Sequence, residues 1–191
     1  MHRAIHTGSP VVASVSLQSI PHVAHLTVID ALPLRRHPTD LRALLRSTLV
    51  ALQRQAKASD VTLNVTVDDR VPAAVPLDAQ KIAWAIAALV GNALRYVRHG
   101  SQMMPGGSIA VRVACDPSAS EVTIEVQDDG AGIPAEKLPL LFSVGTDQPR
   151  LGLGLSMIRE VVLAHAGHIE VQSNTDAFRQ GTTVRLTLPV W

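Results

Sequence analysis

The spacing of apolar residues along the chain predicts two long helices. In residues 37–59, leucines recur at intervals of three and four, and Thr39 or Asp40 can cap the start of the helix. Residues 77–97 are apolar around much of the helical circumference, with Asp78 near the start. Because a helix that is apolar on most sides is typical of a protein interior, we expect the second helix to be buried.

Apolar and polar residues alternate in five other segments, and this alternation predicts strands. The segments are residues 61–69, 108–114, 121–127, 168–173 and 181–189. The second and third are joined by CDPSAS, whose turn-forming residues indicate an antiparallel hairpin.

Three shorter segments complete the predicted fold. Residues 154–166 have the spacing of a helix, residues 11–17 resemble a strand, and apolar residues after Pro21 favour a short helix that ends near Leu32. The order of elements is that of an α+β fold, with helices against one face of a mostly antiparallel sheet.

The composition narrows the classes of function. With 17 basic and 16 acidic residues the formal net charge is +1, which provides no electrostatic footprint for nucleic acid or an anionic membrane. The longest apolar run, Ile82–Val90, is too short to span a bilayer, and the N-terminus lacks the apolar core of a signal peptide. We therefore expect a cytoplasmic protein without direct membrane insertion. The single Cys115 excludes an internal disulfide, and the eight histidines are not paired at the intervals of a zinc site.

The stretch VQDDGAGIP ends the predicted hairpin with two carboxylates and two glycines. Asp and Gly are common turn residues, so a surface turn and a functional loop are about equally good interpretations of Asp128, Gly130 and Gly132 alone.

The stretch GNALRY, near the end of the second helix, combines an amide with a guanidinium. Asn92 lies in an otherwise apolar segment, where an amide needs hydrogen-bond partners, and Arg95 follows three residues later on the same helical face. Such a pair suits a magnesium-bound polyphosphate. The alternative is a helix C-terminus at which Asn92 caps the helix and Arg95 meets the helix dipole.

The stretch RLGLGLSMIREVV places Gly152 and Gly154 just ahead of a predicted helix. Backbone N–H groups at a helix start can bind an anion, and the helix dipole adds to the attraction. The pattern is also a common helix entrance, so it is weak evidence by itself.

Taken in order, these motifs resemble the GHKL nucleotide-binding superfamily, and within it the ATP-binding catalytic domain of bacterial sensor histidine kinases. The resemblance covers residues 38–189. Within this range, AHAGHIEVQS and GTTVRLTLP also match the family. It implies the Bergerat ATP-binding fold, a two-layer α/β sandwich with a mixed, mostly antiparallel sheet. Residues 1–37 would be an N-terminal segment from the end of an upstream helical hairpin, and residues 38–191 the catalytic domain.

The resemblance implies how the base of ATP would be bound. Asp128 would accept a hydrogen bond from the adenine amino group, which selects adenine over guanine. Gly130 and Gly132 would let the backbone pass close to the base, Ile133 would pack against it, and Thr182 would support the site beside Asp128.

The resemblance also implies which residues would bind Mg²⁺, the phosphates and the ribose. Asn92 would hold Mg²⁺, and Arg95 and Tyr96 would line the phosphates and ribose. Backbone amides would bind the phosphates at Gly152, Leu153, Gly154 and Leu155.

The sequence departs from the family at three points. Ala88 stands where ATP-hydrolysing relatives have a glutamate that activates water, which favours transfer to histidine over hydrolysis. The loop between Phe142 and Gly152 is short for the lid that closes over ATP in this family. None of the histidines lies in a sequence motif like the one around the histidine that the family phosphorylates.

We therefore expect transfer of the ATP γ-phosphoryl group to a histidine on a dimerisation domain, in cis in a longer protein or in trans. A response regulator is the expected downstream partner, and the cytoplasm, or the cytoplasmic side of a membrane-bound sensor, the expected location. The alternative is a pseudokinase that serves as a nucleotide-responsive interaction module.

Overall fold

The structure is a computed structural model, and it describes residues 13–14, 32–116, 118, 120–142 and 153–191. The strands are β1 (Ala13–Ser14), β2 (His37–Thr39), β3 (Thr62–Val67), β4 (Val75–Leu77), β5 (Ser108–Cys115), β6 (Glu121–Asp128), β7 (His168–Asn174) and β8 (Gly181–Pro189). The helices are α1 (Leu41–Ala58), α2 (Ala79–Tyr96) and α3 (Leu153–Ala164), with a 3₁₀ segment at Ala135–Phe142. The two long helices, the third helix and the five alternating strands are confirmed. The helix predicted after Pro21 lies outside the described residues.

Six strands form one mixed sheet in the order β1-β7-β8-β6-β5-β3. All neighbours are antiparallel except β3 and β5, which are parallel. A separate two-stranded sheet pairs β2 with β4. The mixed, mostly antiparallel sheet is therefore confirmed.

The helices cover one face of the sheet. Alternate residues such as Val111, Ile124 and Leu186 are fully buried against them. The other face carries ion pairs, in which Arg185 donates to Glu125 over 2.8 Å and to Glu170 over 3.0 Å. One apolar and one polar face confirm the predicted α+β sandwich.

Each long helix begins at an aspartate. Asp40, and not Thr39, is the N-cap of α1, because its carboxylate accepts from the N–H groups of Arg42 and Ala43. Asp78 caps α2 and accepts from the Lys81 N–H over 3.1 Å and from Lys81 Nζ over 2.8 Å. The start of each long helix is therefore set by a capping aspartate that can be identified in the sequence.

The chain that enters α1 is fastened to α2 and α3. The Arg35 N–H donates to Asp78 Oδ2 over 3.0 Å, and Arg36 donates to the Ala164 carbonyl over 3.0 Å. The Asp78 N–H donates to Nε2 of the buried His165 over 3.0 Å. The expected boundary between residues 37 and 38 falls inside β2.

One segment differs from the prediction. The stretch after VQDDGAGIP, for which the sequence predicted neither a helix nor a strand, forms the 3₁₀ segment, whose Leu138, Leu141 and Phe142 are buried. Pro139 lies inside it and removes a backbone donor, so the segment has no regular α-helical period to recognise. Among the described residues, no helix is both long and apolar enough to cross a membrane.

Candidate functional site

A row of three polar side chains crosses the sheet where β6, β8 and β7 meet, on the face that the helices cover. Asp128 lies opposite Thr182, and Thr182 lies opposite Ser173. Each continues the buried side of its strand, where neighbours such as Val126, Val184 and Val171 are apolar. We call Asp128, Thr182 and Ser173 the polar row, and it brings together two residues predicted from the sequence and one that was not.

The Asp128 carboxylate lies in a partly buried setting. Its Oδ1 accepts from the Gly130 N–H over 2.9 Å. Burial raises the pKa of Asp128, and the neighbouring Asp129 carboxylate adds to the rise, whereas the N–H groups of Gly130 and Thr182 oppose it. A ligand that donates a hydrogen bond to this carboxylate would stabilise its ionised form.

The loop after Asp128 runs close to the rest of the protein. Gly132 has φ +73°, and a Cβ there would lie 2.1 Å from the Asn174 carbonyl oxygen. A Cβ at Gly130 would lie 2.9 Å from the Tyr96 carbonyl oxygen. The glycines are therefore required by the approach of the protein's own backbone, and a role in admitting the base remains a prediction.

Two residues of this site had no predicted role. Ser173 is buried and accepts from the Ile133 N–H over 2.8 Å, which fixes the loop to β7. Asp129 accepts from the N–H and the hydroxyl of Ser108, each over 2.9 Å, and so fastens the end of β6 to the start of β5. Ser173 could have been found from its place after Ile169 and Val171, where the alternation predicts an apolar residue.

Ile133 stands between the loop and the core. Its side chain is partly buried and packs against the hydrophobic core. Its backbone N–H donates to Ser173, so the backbone of Ile133 lies beside the polar row.

The last turns of α2 carry the predicted phosphate-side residues. Asn92 is partly buried, and Arg95 and Tyr96 are exposed. Because α2 continues to Tyr96 and the capping residue is Val97, Asn92 does not cap the helix. Arg95 lies in the last turn of α2, a position that suits both a phosphate contact and an interaction with the helix dipole. The Tyr96 carbonyl adjoins Gly130, so the helix end and the loop after Asp128 are neighbours.

The amide oxygen of Asn92 suits Mg²⁺ in type and number. Among the described residues, no group of three or more His, Cys, Asp or Glu could hold a metal ion. Mg²⁺ commonly takes one or two protein oxygens and completes its shell with substrate phosphates and water, so a single amide on α2 fits this role.

The start of α3 corrects one prediction. The helix begins at Leu153, so Gly154 is its second residue and does not precede it. The first N–H groups of a helix lack intrahelical partners, so the amides of Leu153, Gly154 and Leu155 keep the chemistry of an anion site. Gly154 is exposed, and a Cβ there would have no heavy atom within 4 Å. Gly152 and the predicted lid lie outside the described residues.

A cavity of about 410 Å³ adjoins the site beside Gly130. It is lined by Tyr96, Arg98, Asp129 and residues of the loop between β7 and β8, including Phe178. Of the residues predicted to bind the nucleotide, Tyr96 and Gly130 line this cavity, whereas Asp128 and Asn92 do not.

Comparison with known proteins gives consistent matches. A family model described as "Histidine kinase-, DNA gyrase B-, and HSP90-like ATPase" matches residues 77–191. The adaptive-response sensory kinase SasA of Synechococcus elongatus is 29% identical over 166 residues, which are 83% of this chain and 40% of SasA. Sensor histidine kinase ZraS of Escherichia coli is 27% identical over 168 residues, 86% of this chain and 33% of ZraS. The chain thus spans less than half the length of these relatives.

Solved structures show the same fold. The mycobacterial sensor histidine kinase MprB has a TM-score of 0.65 and 28% identity, and the match covers 81% of this chain and 97% of that one. ShkA, solved in full length with AMPPNP, has a TM-score of 0.68 and 21% identity over 83% of this chain and 32% of its own. ThkA in complex with the response regulator protein TrrA has a TM-score of 0.64 and 21% identity over 83% of this chain and 42% of its own.

Proposed function

The chain belongs to the histidine kinase-, DNA gyrase B- and HSP90-like ATPase family, and from this premise we propose that it is the ATP-binding catalytic domain of a two-component sensor histidine kinase. It would transfer the γ-phosphoryl group of ATP to a histidine on a dimerisation domain. The observation that carries the proposal is the polar row beside the end of α2, with the Asp128 carboxylate partly buried and opposite Thr182.

Adenine recognition is assigned to the polar row. The adenine amino group donates to Asp128, whose carboxylate offers only lone pairs. Guanine carries an oxygen at that position, which would face the same lone pairs without a proton between them. Ile133 provides the apolar surface on which the base rests.

Phosphate binding is assigned to α2 and the start of α3. Asn92 holds Mg²⁺, which neutralises phosphate charge when bound. Arg95 lies one turn further along the same helix and is exposed, so its guanidinium can reach a phosphate oxygen. The first amides of α3 bind phosphate through the unpaired N–H groups of the helix start.

Transfer to histidine requires little from the protein beyond position and charge. Ala88 lies one helical turn before Asn92 and is partly buried against the core, so α2 offers no base there to activate water. A neutral imidazole already has a nucleophilic lone pair. The chain therefore fits a kinase with a histidine acceptor better than an ATP-hydrolysing enzyme.

The partners follow from the same proposal. The dimerisation domain is supplied in cis in a longer protein or in trans, and a response regulator takes the phosphoryl group downstream. The similarity to ThkA, whose structure contains the response regulator protein TrrA, supports the second partner.

The test is phosphotransfer to a supplied acceptor. The chain is incubated with Mg²⁺, γ-labelled ATP and the purified dimerisation domains of SasA and ZraS. We expect label that is stable to alkali and labile to acid, as phosphohistidine is, and no label when the acceptor histidine is changed to alanine.

A matched pair of variants isolates the site. Asp128→Asn removes the proposed base contact, whereas Asp69→Asn removes a fully exposed carboxylate between β3 and β4. Transfer that is lost with Asp128→Asn and kept with Asp69→Asn supports the proposal. ATP binding without transfer to either domain would replace it with a nucleotide-responsive interaction module.

A further inference from the structure

The Ser173 hydroxyl makes three polar contacts and has one proton to donate. Its Oγ accepts from the Ile133 N–H over 2.8 Å, lies 2.9 Å from the Gly181 carbonyl oxygen and lies 3.0 Å from Thr182 Oγ1. The Gly181 carbonyl can only accept, so the Ser173 proton is used there. The contact with Thr182 is then a hydrogen bond only if Thr182 is the donor.

This arrangement fixes the direction of the Thr182 hydroxyl. With its proton given to Ser173, Thr182 Oγ1 can present only lone pairs to a ligand. Asp128, opposite Thr182 on the next strand, also presents only lone pairs when ionised. The two side chains therefore form a surface that accepts and does not donate.

We infer that Ser173 is a positioning residue that determines nucleobase selectivity, because it holds the Thr182 hydroxyl as an acceptor. The inference rests on the proposed nucleotide site and assigns to Ser173 a role in that site. A base with an amino group at its 6-position matches two acceptors. A base with a 6-oxo group is rejected because no donor can turn towards it.

Without Ser173, the Thr182 hydroxyl is released. In Ser173→Ala, Thr182 can rotate and donate to a 6-oxo group, and the Ile133 N–H loses its acceptor. Discrimination between 6-amino and 6-oxo bases should then fall by about fivefold, the equivalent of one neutral hydrogen bond.

The experiment measures Kd for ATP and ITP. ITP has a 6-oxo group in place of the 6-amino group and also carries a proton on N1, and this second difference is the same for every variant. Calorimetric titration is carried out on the full chain, Ser173→Ala, Thr182→Val and the double variant. The ITP-to-ATP ratio of Kd should fall about fivefold in Ser173→Ala. Because Ser173 acts through Thr182, adding Ser173→Ala to Thr182→Val should leave the ratio unchanged.

Two controls separate positioning from loss of structure. Thr187→Val removes another buried hydroxyl of β8 and should not change the ratio. Amide hydrogen exchange at Ile133 should accelerate in Ser173→Ala and not in Thr182→Val. Should Ser173→Ala not fold, Ser173→Cys provides a weaker acceptor of similar shape, and the ratio should fall by a smaller factor.

The outcomes are distinct. The inference is overturned if Ser173→Ala folds and shows faster amide exchange at Ile133 but has an unchanged ITP-to-ATP ratio of Kd. It is also overturned if Ser173→Ala changes this ratio equally in the wild-type and the Thr182→Val backgrounds. A wild-type chain that binds neither nucleotide overturns the proposed function, and the inference with it.

Discussion

Gly132→Ala tests whether the loop after Asp128 has the close approach that the structure gives it. The backbone at Gly132 has φ +73°, a conformation that costs about 1–2 kcal/mol for a residue with a Cβ. The new Cβ would also lie 2.1 Å from the Asn174 carbonyl oxygen, so the loop must move away from β7. This movement strains the hydrogen bond from Ile133 to Ser173, worth about 1 kcal/mol.

The sum is about 2–3 kcal/mol of unfolding free energy, before any cost of moving the backbone. For a chain of this size about 1 kcal/mol corresponds to 2–4 °C, so Tm should fall by about 4–12 °C. Thermal and urea unfolding, followed by circular dichroism without nucleotide, measure the change.

Gly91→Ala is the matched control. Gly91 lies inside α2, and a Cβ there would have no heavy atom within 4 Å. Alanine should therefore stabilise the helix by about 0.5–1 kcal/mol and raise Tm by about 1–4 °C. Equal Tm values for Gly132→Ala and wild type, or losses of similar size in both variants, would refute the described loop geometry.

Three further predictions concern buried groups. Burial raises the pKa of Asp128, so its ionisation lowers the free energy of unfolding as pH rises through that pKa. Asp128→Asn should therefore match or exceed the wild-type free energy of unfolding in urea at pH 8. A much lower free energy of unfolding in the variant would contradict this prediction. Burial lowers the pKa of His165, so its contribution to stability is present above about pH 6.5 and is lost as pH falls through the lowered pKa. His165→Asn should reduce the loss of stability in urea between pH 7.5 and 5.5, and an unchanged slope would refute it. Burial raises the pKa of the Cys115 thiol, so a thiol reagent at pH 7.5 should label it in urea and not in the folded protein.

The sequence predicts local elements well because their signals are local. The periods of α1, α2 and the five alternating strands each lie within about 20 residues, and the caps at Asp40 and Asp78 lie beside the helices that they start. The two-layer arrangement follows, because alternation leaves one apolar face on the sheet for the helices to cover.

Pairing between distant segments is not encoded in such local periods. The small sheet of β2 with β4 depends on how the chain returns after α1 and β3, and the parallel contact of β3 with β5 depends on how it returns after α2. The 3₁₀ segment contains Pro139 and has no regular period. These features required the structure.

The candidate site divides in the same way. Asp128 and Thr182 come from motifs that the sequence displays, and their opposition on neighbouring strands agrees with a shared site. The alternation of β7 marks Ser173 as a polar residue at an apolar position, but its role was not visible, because its partner Ile133 lies 40 residues away in the sequence. Asp129 likewise acts through Ser108, 21 residues away.

The most direct test of the proposed function is calorimetric titration of ATP into the wild-type chain and Asp128→Asn in the presence of Mg²⁺. The loss of a hydrogen bond to a charged carboxylate predicts an affinity about 10- to 100-fold lower in the variant. Equal affinities in the two proteins, or no binding by the wild type, would contradict the assignment of Asp128 as the residue that recognises adenine.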